Sequence, residues 1–204
     1  MSKGRNFTVD NQHMSQRDIF WTRVGELMHD DHDIVIISAD MGTPVFDKIR
    51  TIYSNRFFNI GIAEQNCISV AAGLAKEGKK PYIFNIATFA ILRALEQIRV
   101  GISIMKLPVT IVGTGTGFSY DDAGPTHHLF EDIGVMRTLP HMTINSVSDN
   151  VMARKLADMS RHMSTPNYIR LERHINPNIY AEEDDFSNGF QVIREGPDGC
   201  IVSN

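Results

Sequence analysis

Short, unbroken apolar runs alternate along the chain with segments whose apolar residues recur at helical spacing, and that alternation predicts the architecture. Ser15-Gln16-Arg17-Asp18 reads as a helix start, a hydroxyl cap with an acid three residues on, and Ile19, Phe20, Val24, Leu27 and Met28 follow on one face. After the acidic turn Asp30 to Asp33, Ile34-Val35-Ile36-Ile37 has the continuous apolarity of a strand buried on both faces, ending in Ser38-Ala39-Asp40. A helix, a second buried strand from Phe57 to Ile62 and a helix opening near Glu64 come next. Gly61 allows a tight exit, and Ala71, Ala72 and Gly73 let the new helix lie close to its neighbours. Lys79-Lys80-Pro81 leads into a short strand, Tyr82-Ile83-Phe84. The longest helical pattern, Thr88 to Met105, places Phe89, Leu92, Leu95, Ile98, Ile102 and Met105 on one stripe, with Arg93, Glu96 and Arg99 beside it.

Leu107 to Val112 predicts another strand, opening into the glycine-rich stretch Gly113 to His128, which is too long to be only a connector. A helix near Leu129 to Thr138, a strand at Met142 to Asn145, a helix capped by Ser148 with Met152, Leu156, Met159 and Met163 inward, and a strand at Tyr168 to Leu171 complete the pattern. Repeated strand–helix units imply a three-layer α/β/α fold with a mainly parallel sheet, in which ligands bind outside the carboxyl ends of the strands. Asp40, Glu64, the glycine-rich loop and Arg173 fall at such ends. The polar stretch 1–14 is expected to be a disordered tail, neither signal peptide nor membrane anchor. Residues 15–176 form the expected domain, and 177–204 read as a linker and the start of a truncated further domain.

Composition narrows the chemistry. The 204 residues suffice for one sizeable core, and a net charge of -4 with interspersed signs gives no electrostatic case for nucleic acid or an anionic membrane. Cys67 and Cys200 stand far apart without metal or redox spacing, so a reducing, cytoplasmic compartment is the expectation. Gly113, Gly115 and Gly117 lack the GxGxxG spacing of a dinucleotide site. Asp121, Asp122, His127 and His128 match no metal cage and read as solvated loop residues. No Ser or Cys occupies a nucleophile elbow. On this reading alone, Glu64 is an acid that complements a helix dipole.

As a set, Gly61-Ile62-Ala63-Glu64-Gln65, Ala71-Ala72-Gly73-Leu74-Ala75, Thr88-Phe89, Glu96-Gln97-Ile98-Arg99, Gly124-Pro125-Thr126-His127 and Leu139-Pro140-His141-Met142 resemble a known family. It is the pyrimidine-binding domain of transketolase-type thiamine diphosphate enzymes, which include transketolase and 1-deoxy-D-xylulose-5-phosphate synthase. The resemblance implies that Glu64 bonds N1′ of the cofactor's aminopyrimidine, where sharing a proton helps the ring to take the proton from thiazolium C2. It implies that Phe89 stacks on the ring, Leu92 closes the pocket, Ile62 and Asp40 line and support it, His127 faces the substrate as a second catalytic residue, and Arg173 binds a sugar phosphate. Gly115 and Ala123 stand where transketolase has a histidine and an aspartate that recognise the donor. Leu92 and Leu95 replace aromatics.

The Gly-Asp-Gly and downstream Asn with which the family holds the diphosphate and its metal do not occur in the sequence. The resemblance therefore implies one part of a split enzyme, a homodimer or heterotetramer whose partner subunit brings the diphosphate site with Mg2+ or Ca2+. The expected activity is transfer of a two-carbon ketol unit between sugar phosphates. A carboligase like 1-deoxy-D-xylulose-5-phosphate synthase, or a non-catalytic module that keeps the fold, are the alternatives.

Overall fold

The computed structural model describes residues 14–203, so the tail expected at 1–14 lies, but for Met14, outside the described residues. Six strands alternate with helices: β1 (Ile34–Ser38), β2 (Phe57–Asn59), β3 (Lys80–Ile86), β4 (Thr110–Thr114), β5 (Thr143–Ser146) and β6 (Asn167–Leu171). They form one parallel sheet in the order β2-β1-β3-β4-β6-β5. The helices are α1 (Gln16–Leu27), α2 (Pro44–Ile52), α3 (Glu64–Lys76), α4 (Ala87–Ile91), α5 (Leu95–Gln97), α6 (Asp132–Met136) and α7 (Asn150–Ser160). Among the described residues no helix is long and apolar enough to cross a membrane.

Alternate strand residues feed two cores, as the pleat requires. Ile34, Ile36, Tyr82 and Phe84 pack with α1, α2 and α7. That layer is aromatic: Trp21 meets Phe46 edge-on at 5.0 Å and Phe84 at 5.3 Å, a preferred geometry for such rings. Val35, Ile37, Ile83 and Ile111 pack the other way, against α3, α4 and the turns that follow. Here Ala71, Ala72, Ala75, Ala90 and Ala94 dominate, so the helices sit low on the sheet. Gly113 makes the closest approach: a Cβ there would stand 2.9 Å from that of Ala87, the first residue of α4.

That close approach explains one departure from the predicted pattern. The helix expected over Thr88 to Met105 is broken after Ile91, resumes for one turn as α5, and continues as a π-helical segment, Ile98–Ser103. The buried stripe is Ala90, Ile91, Ala94, Ile98 and Ile102. Leu92 and Met105, expected on that stripe, face solvent.

The second strand is also shorter than predicted. It ends at Asn59, on the edge of the sheet, and Gly61 turns the chain at φ 77°. Phe58 and Ile62, expected in the core, are 41% and 77% exposed. The cap of α7 is Asp149, not Ser148. Its buried carboxylate accepts from the backbone N–H of Met152 at 2.8 Å and from those of Ile179 and Tyr180 at 2.9 and 2.8 Å. A carboxylate has acceptor sites for all three, which one hydroxyl lacks. The inward face of α7 is Val151, Ala153, Leu156, Ala157 and Ser160, with Met152 and Met159 at its margin. Asp149 and buried Phe186 thereby hold the segment after Pro177 against α7.

Candidate active site

After β1 the chain crosses to α2 on the aromatic layer, and after β3 to α4 on the opposite one. The carboxyl ends of these neighbouring strands therefore open a crevice, the usual place for a ligand in a doubly wound sheet. A cleft of about 310 Å³ lies there, and Asp40, Ile62, Glu64, Asn85, Phe89 and Arg93 line it. Four of the residues singled out in the sequence are thus brought together: Asp40, Ile62, Glu64 and Phe89.

Each is placed by its element. Asp40 follows β1 with φ 56°, a left-handed conformation that a non-glycine residue adopts only when its surroundings hold it. Asn59 does the holding. Its Oδ1 accepts from the N–H groups of Asp40 and Gly61, and its Nδ2 donates to the Asp40 carboxylate, each at 3.0 Å. One side chain at the end of β2 so ties together the loops that carry Asp40 and Glu64.

Glu64 opens α3 and is only 5% exposed, so its carboxylate needs a partner. Arg93 supplies it, with Nη1 3.0 Å from Oε2. The same guanidinium lies over the Phe89 ring, 4.7 Å from its centre. His127 meets that ring edge-on at 5.1 Å. It stands beside the cleft, and its Nδ1 is paired with the Thr126 hydroxyl.

Arg173 is farther out, its guanidinium over the Tyr120 ring and 3.8 Å from Asp122. Tyr120 in turn adjoins His127, the ring centres 5.8 Å apart. Leu92 does not line the cleft and is 39% exposed. The break after Ile91 has turned it away.

Tyr120 also accounts for Gly115. That glycine has φ 78°, and a Cβ on it would come within 2.0 Å of the Tyr120 ring, so no larger residue fits there beside the tyrosine.

Behind Glu64 lies Cys67, buried, its thiol pushed up to about 12 by burial; the adjacent Asn85 amide works the other way, and the Glu64 charge adds to the rise. Asn85 is 3% exposed. Its Oδ1 accepts from the Ala39 N–H at 3.2 Å, while Nδ2 finds no hydrogen-bond partner.

Three site residues escaped the sequence reading: Asn59, Asn85 and Arg93. Asn85 carried a signal, since a polar amide interrupts the apolar run of β3. Asn59 and Arg93 carried none beyond their neighbourhood.

A larger cleft, about 710 Å³, opens near the ends of β4 and β6. Its polar groups serve one another: Thr116 and Ser119 donate to Glu172, and Arg170 pairs with buried Asp132. Among the described residues no cluster of His, Cys, Asp or Glu is arranged to hold a metal.

The family model for the transketolase pyrimidine-binding domain matches residues 12–177. One of the subunits of the apulose-4-phosphate transketolase of Phocaeicola vulgatus is 35% identical over 197 residues, covering 95% of this chain and 63% of that protein. The 1-deoxy-D-xylulose-5-phosphate synthase of Carboxydothermus hydrogenoformans is 30% identical over 197 residues, 95% of this chain and 31% of its own length. Among solved structures, an inactive tetramer of a split-gene transketolase superposes with a TM-score of 0.80 at 33% identity, over 90% of this chain and 60% of that one. The chain thus spans less than two thirds of the length of these relatives.

Proposed function

This chain belongs to the transketolase pyrimidine-binding domain family, and from that premise we propose that it is the pyrimidine-binding part of a thiamine diphosphate-dependent transketolase. The enzyme moves a two-carbon ketol unit between sugar phosphates, and a separate diphosphate-binding partner completes it. The observation that carries this reading is a buried carboxylate, Glu64, facing one cleft with the aromatic ring of Phe89 at the crevice of the sheet. A planar, nitrogen-bearing ring fits that pair.

Bound thiamine diphosphate supplies the carbon nucleophile that attacks a ketose carbonyl. This chain's residues orient it. Glu64 holds a proton at N1′ of the aminopyrimidine; Phe89 stacks on the ring; Ile62 and Asp40 bound the cleft. His127, beside Phe89, bonds oxygens of the donor sugar, and Arg173 takes its phosphate at the rim with a planar fork. Ile62 on the cleft wall and Leu92, three residues beyond Phe89, are exposed apolar groups of the kind a partner subunit covers. That partner brings the diphosphate site and its Mg2+ or Ca2+.

The similarity to 1-deoxy-D-xylulose-5-phosphate synthase supports a second reading, a carboligase like that synthase. Formation of 1-deoxy-D-xylulose 5-phosphate by the reconstituted enzyme would identify it.

The split-site reading is tested by melting. Thiamine diphosphate with Mg2+ is expected to leave the melting temperature of this chain alone unchanged and to raise that of the chain with its diphosphate-binding partner, since stabilisation follows occupancy. Tight, Mg2+-dependent binding by the lone chain contradicts it.

A further inference from the structure

Four side chains stand in a row that leads out of the cleft. Phe89 meets the His127 ring at 5.1 Å, His127 meets the Tyr120 ring at 5.8 Å, and the Arg173 guanidinium lies over Tyr120, 4.6 Å from its centre. The function proposed above uses three of them and leaves Tyr120 without a role. Its ring is closely held, since it lies where a Cβ on Gly115 would be, within 2.0 Å. Its oxygen is not held: among the described residues the Tyr120 hydroxyl enters no hydrogen bond. Burial pushes the phenol up, against the pull of the Arg17 and Arg173 charges, so it keeps its proton at neutral pH. A half-buried hydroxyl on a fixed ring can then both donate and accept.

We propose that Tyr120 is a specificity-determining residue, its hydroxyl bonding the hydroxyl that the donor sugar carries one carbon beyond the bond that is cleaved. The proposal rests on the donor-binding reading of His127 and Arg173 and extends it. With His127 at the oxygens of the carbonyl end and Arg173 at the phosphate, the carbons between them pass Tyr120. In a phosphorylated ketose those carbons bear hydroxyls, each a donor and an acceptor. The phenol matches them in both roles, whereas a guanidinium only donates. Without it, a sugar hydroxyl leaving water at this point loses a partner and the donor binds less well. Tyr120 would thus favour donors that carry this hydroxyl over donors that end before it.

The test uses the full chain reconstituted with its diphosphate-binding partner, thiamine diphosphate and Mg2+, and compares the parent with Tyr120→Phe, which keeps the ring and removes only the oxygen. Three donors are assayed with one acceptor: D-xylulose 5-phosphate, which has the hydroxyl and a phosphate, L-erythrulose, which has the hydroxyl alone, and hydroxypyruvate, which ends before that carbon. For the first two, the variant is expected to raise KM roughly three- to tenfold with kcat little changed, as loss of one net hydrogen bond made equally in ground and transition states implies. The KM for hydroxypyruvate should stay at the parent value, and so should the melting temperature, since the hydroxyl bonds nothing in the protein. Equal losses for all three donors, a loss for the phosphorylated donor alone, or no loss at all each overturn the role of Tyr120. If the parent complex turns over none of the three, the transketolase reading itself falls, and this inference with it.

Discussion

Arg93 and Glu64 form an ion pair 3.0 Å long at the mouth of the cleft, and the same guanidinium covers Phe89. One half-exposed cation therefore occupies both groups that a bound ring would use. A guanidinium is planar and offers N–H groups to a carboxylate, much as a protonated aminopyrimidine does, so it keeps buried Glu64 paired while the cleft holds nothing else.

The ring and Arg93 should therefore compete. Arg93→Met is expected to bind 4-amino-2-methylpyrimidine a few-fold more tightly than the parent, because the ion pair with buried Glu64 and the cation–π contact with Phe89 no longer have to be broken. Isothermal titration measures it. Weaker binding by the variant would show that the guanidinium assists the ring instead of yielding to it.

Asp149 should matter to stability far more than Ser148. Asp149→Ala leaves three backbone N–H groups without their acceptor and is expected to cost about 2 kcal/mol or more, whereas Ser148→Ala should cost less than about 0.5 kcal/mol. Urea unfolding of the two variants decides between them. Equal effects would place the cap one residue earlier.

Cys67 makes stability fall in alkali. Its thiol sits near 9.0 in a free chain and is pushed up to about 12 by burial in the fold. Above pH 9 the unfolded chain gives up this proton while the folded chain keeps it, so the unfolded state binds fewer protons and stability declines with rising pH. The contribution is intact below pH 9 and lost progressively up to about 12. Cys67→Ala should flatten that part of the melting-temperature profile. In the parent at about pH 8, a thiol reagent should modify exposed Cys200 and spare Cys67.

Much of this was legible in the chain because strand and helix periods differ and because each strand end was marked by a change to polar residues. The run Ile34 to Ile37 is buried throughout, and Ser15 caps α1 where the spacing placed it. Pattern alone misplaced the stripe of Thr88 to Met105. Which residues face inward there depends on how closely α4 approaches Gly113, a property of tertiary packing. It likewise overextended β2, because an apolar run reads the same whether it lies in the middle of a sheet or on an edge.

The cleft divides in the same way. Asp40, Glu64 and Phe89 announced themselves by motif, whereas Asn59 and Arg93 act through contacts across 19 and 29 residues of sequence that no local signal encodes. The resemblance placed Leu92 at the pocket, and after the break in the helix it stands outside the cleft lining.

The central claim is that Glu64 holds a proton for the cofactor and does not merely complement the dipole of α3. Exchange of the thiazolium C2 proton, followed by quenched-flow NMR in the complex with the diphosphate-binding partner, tests it most directly. Glu64→Gln keeps shape and position and is expected to slow that exchange by about 10²–10⁴, the usual worth of positioned proton transfer. If the variant exchanges the proton as fast as the parent and shows only a stability loss of about 0.3–1 kcal/mol, Glu64 is a helix-dipole residue and the claim is wrong.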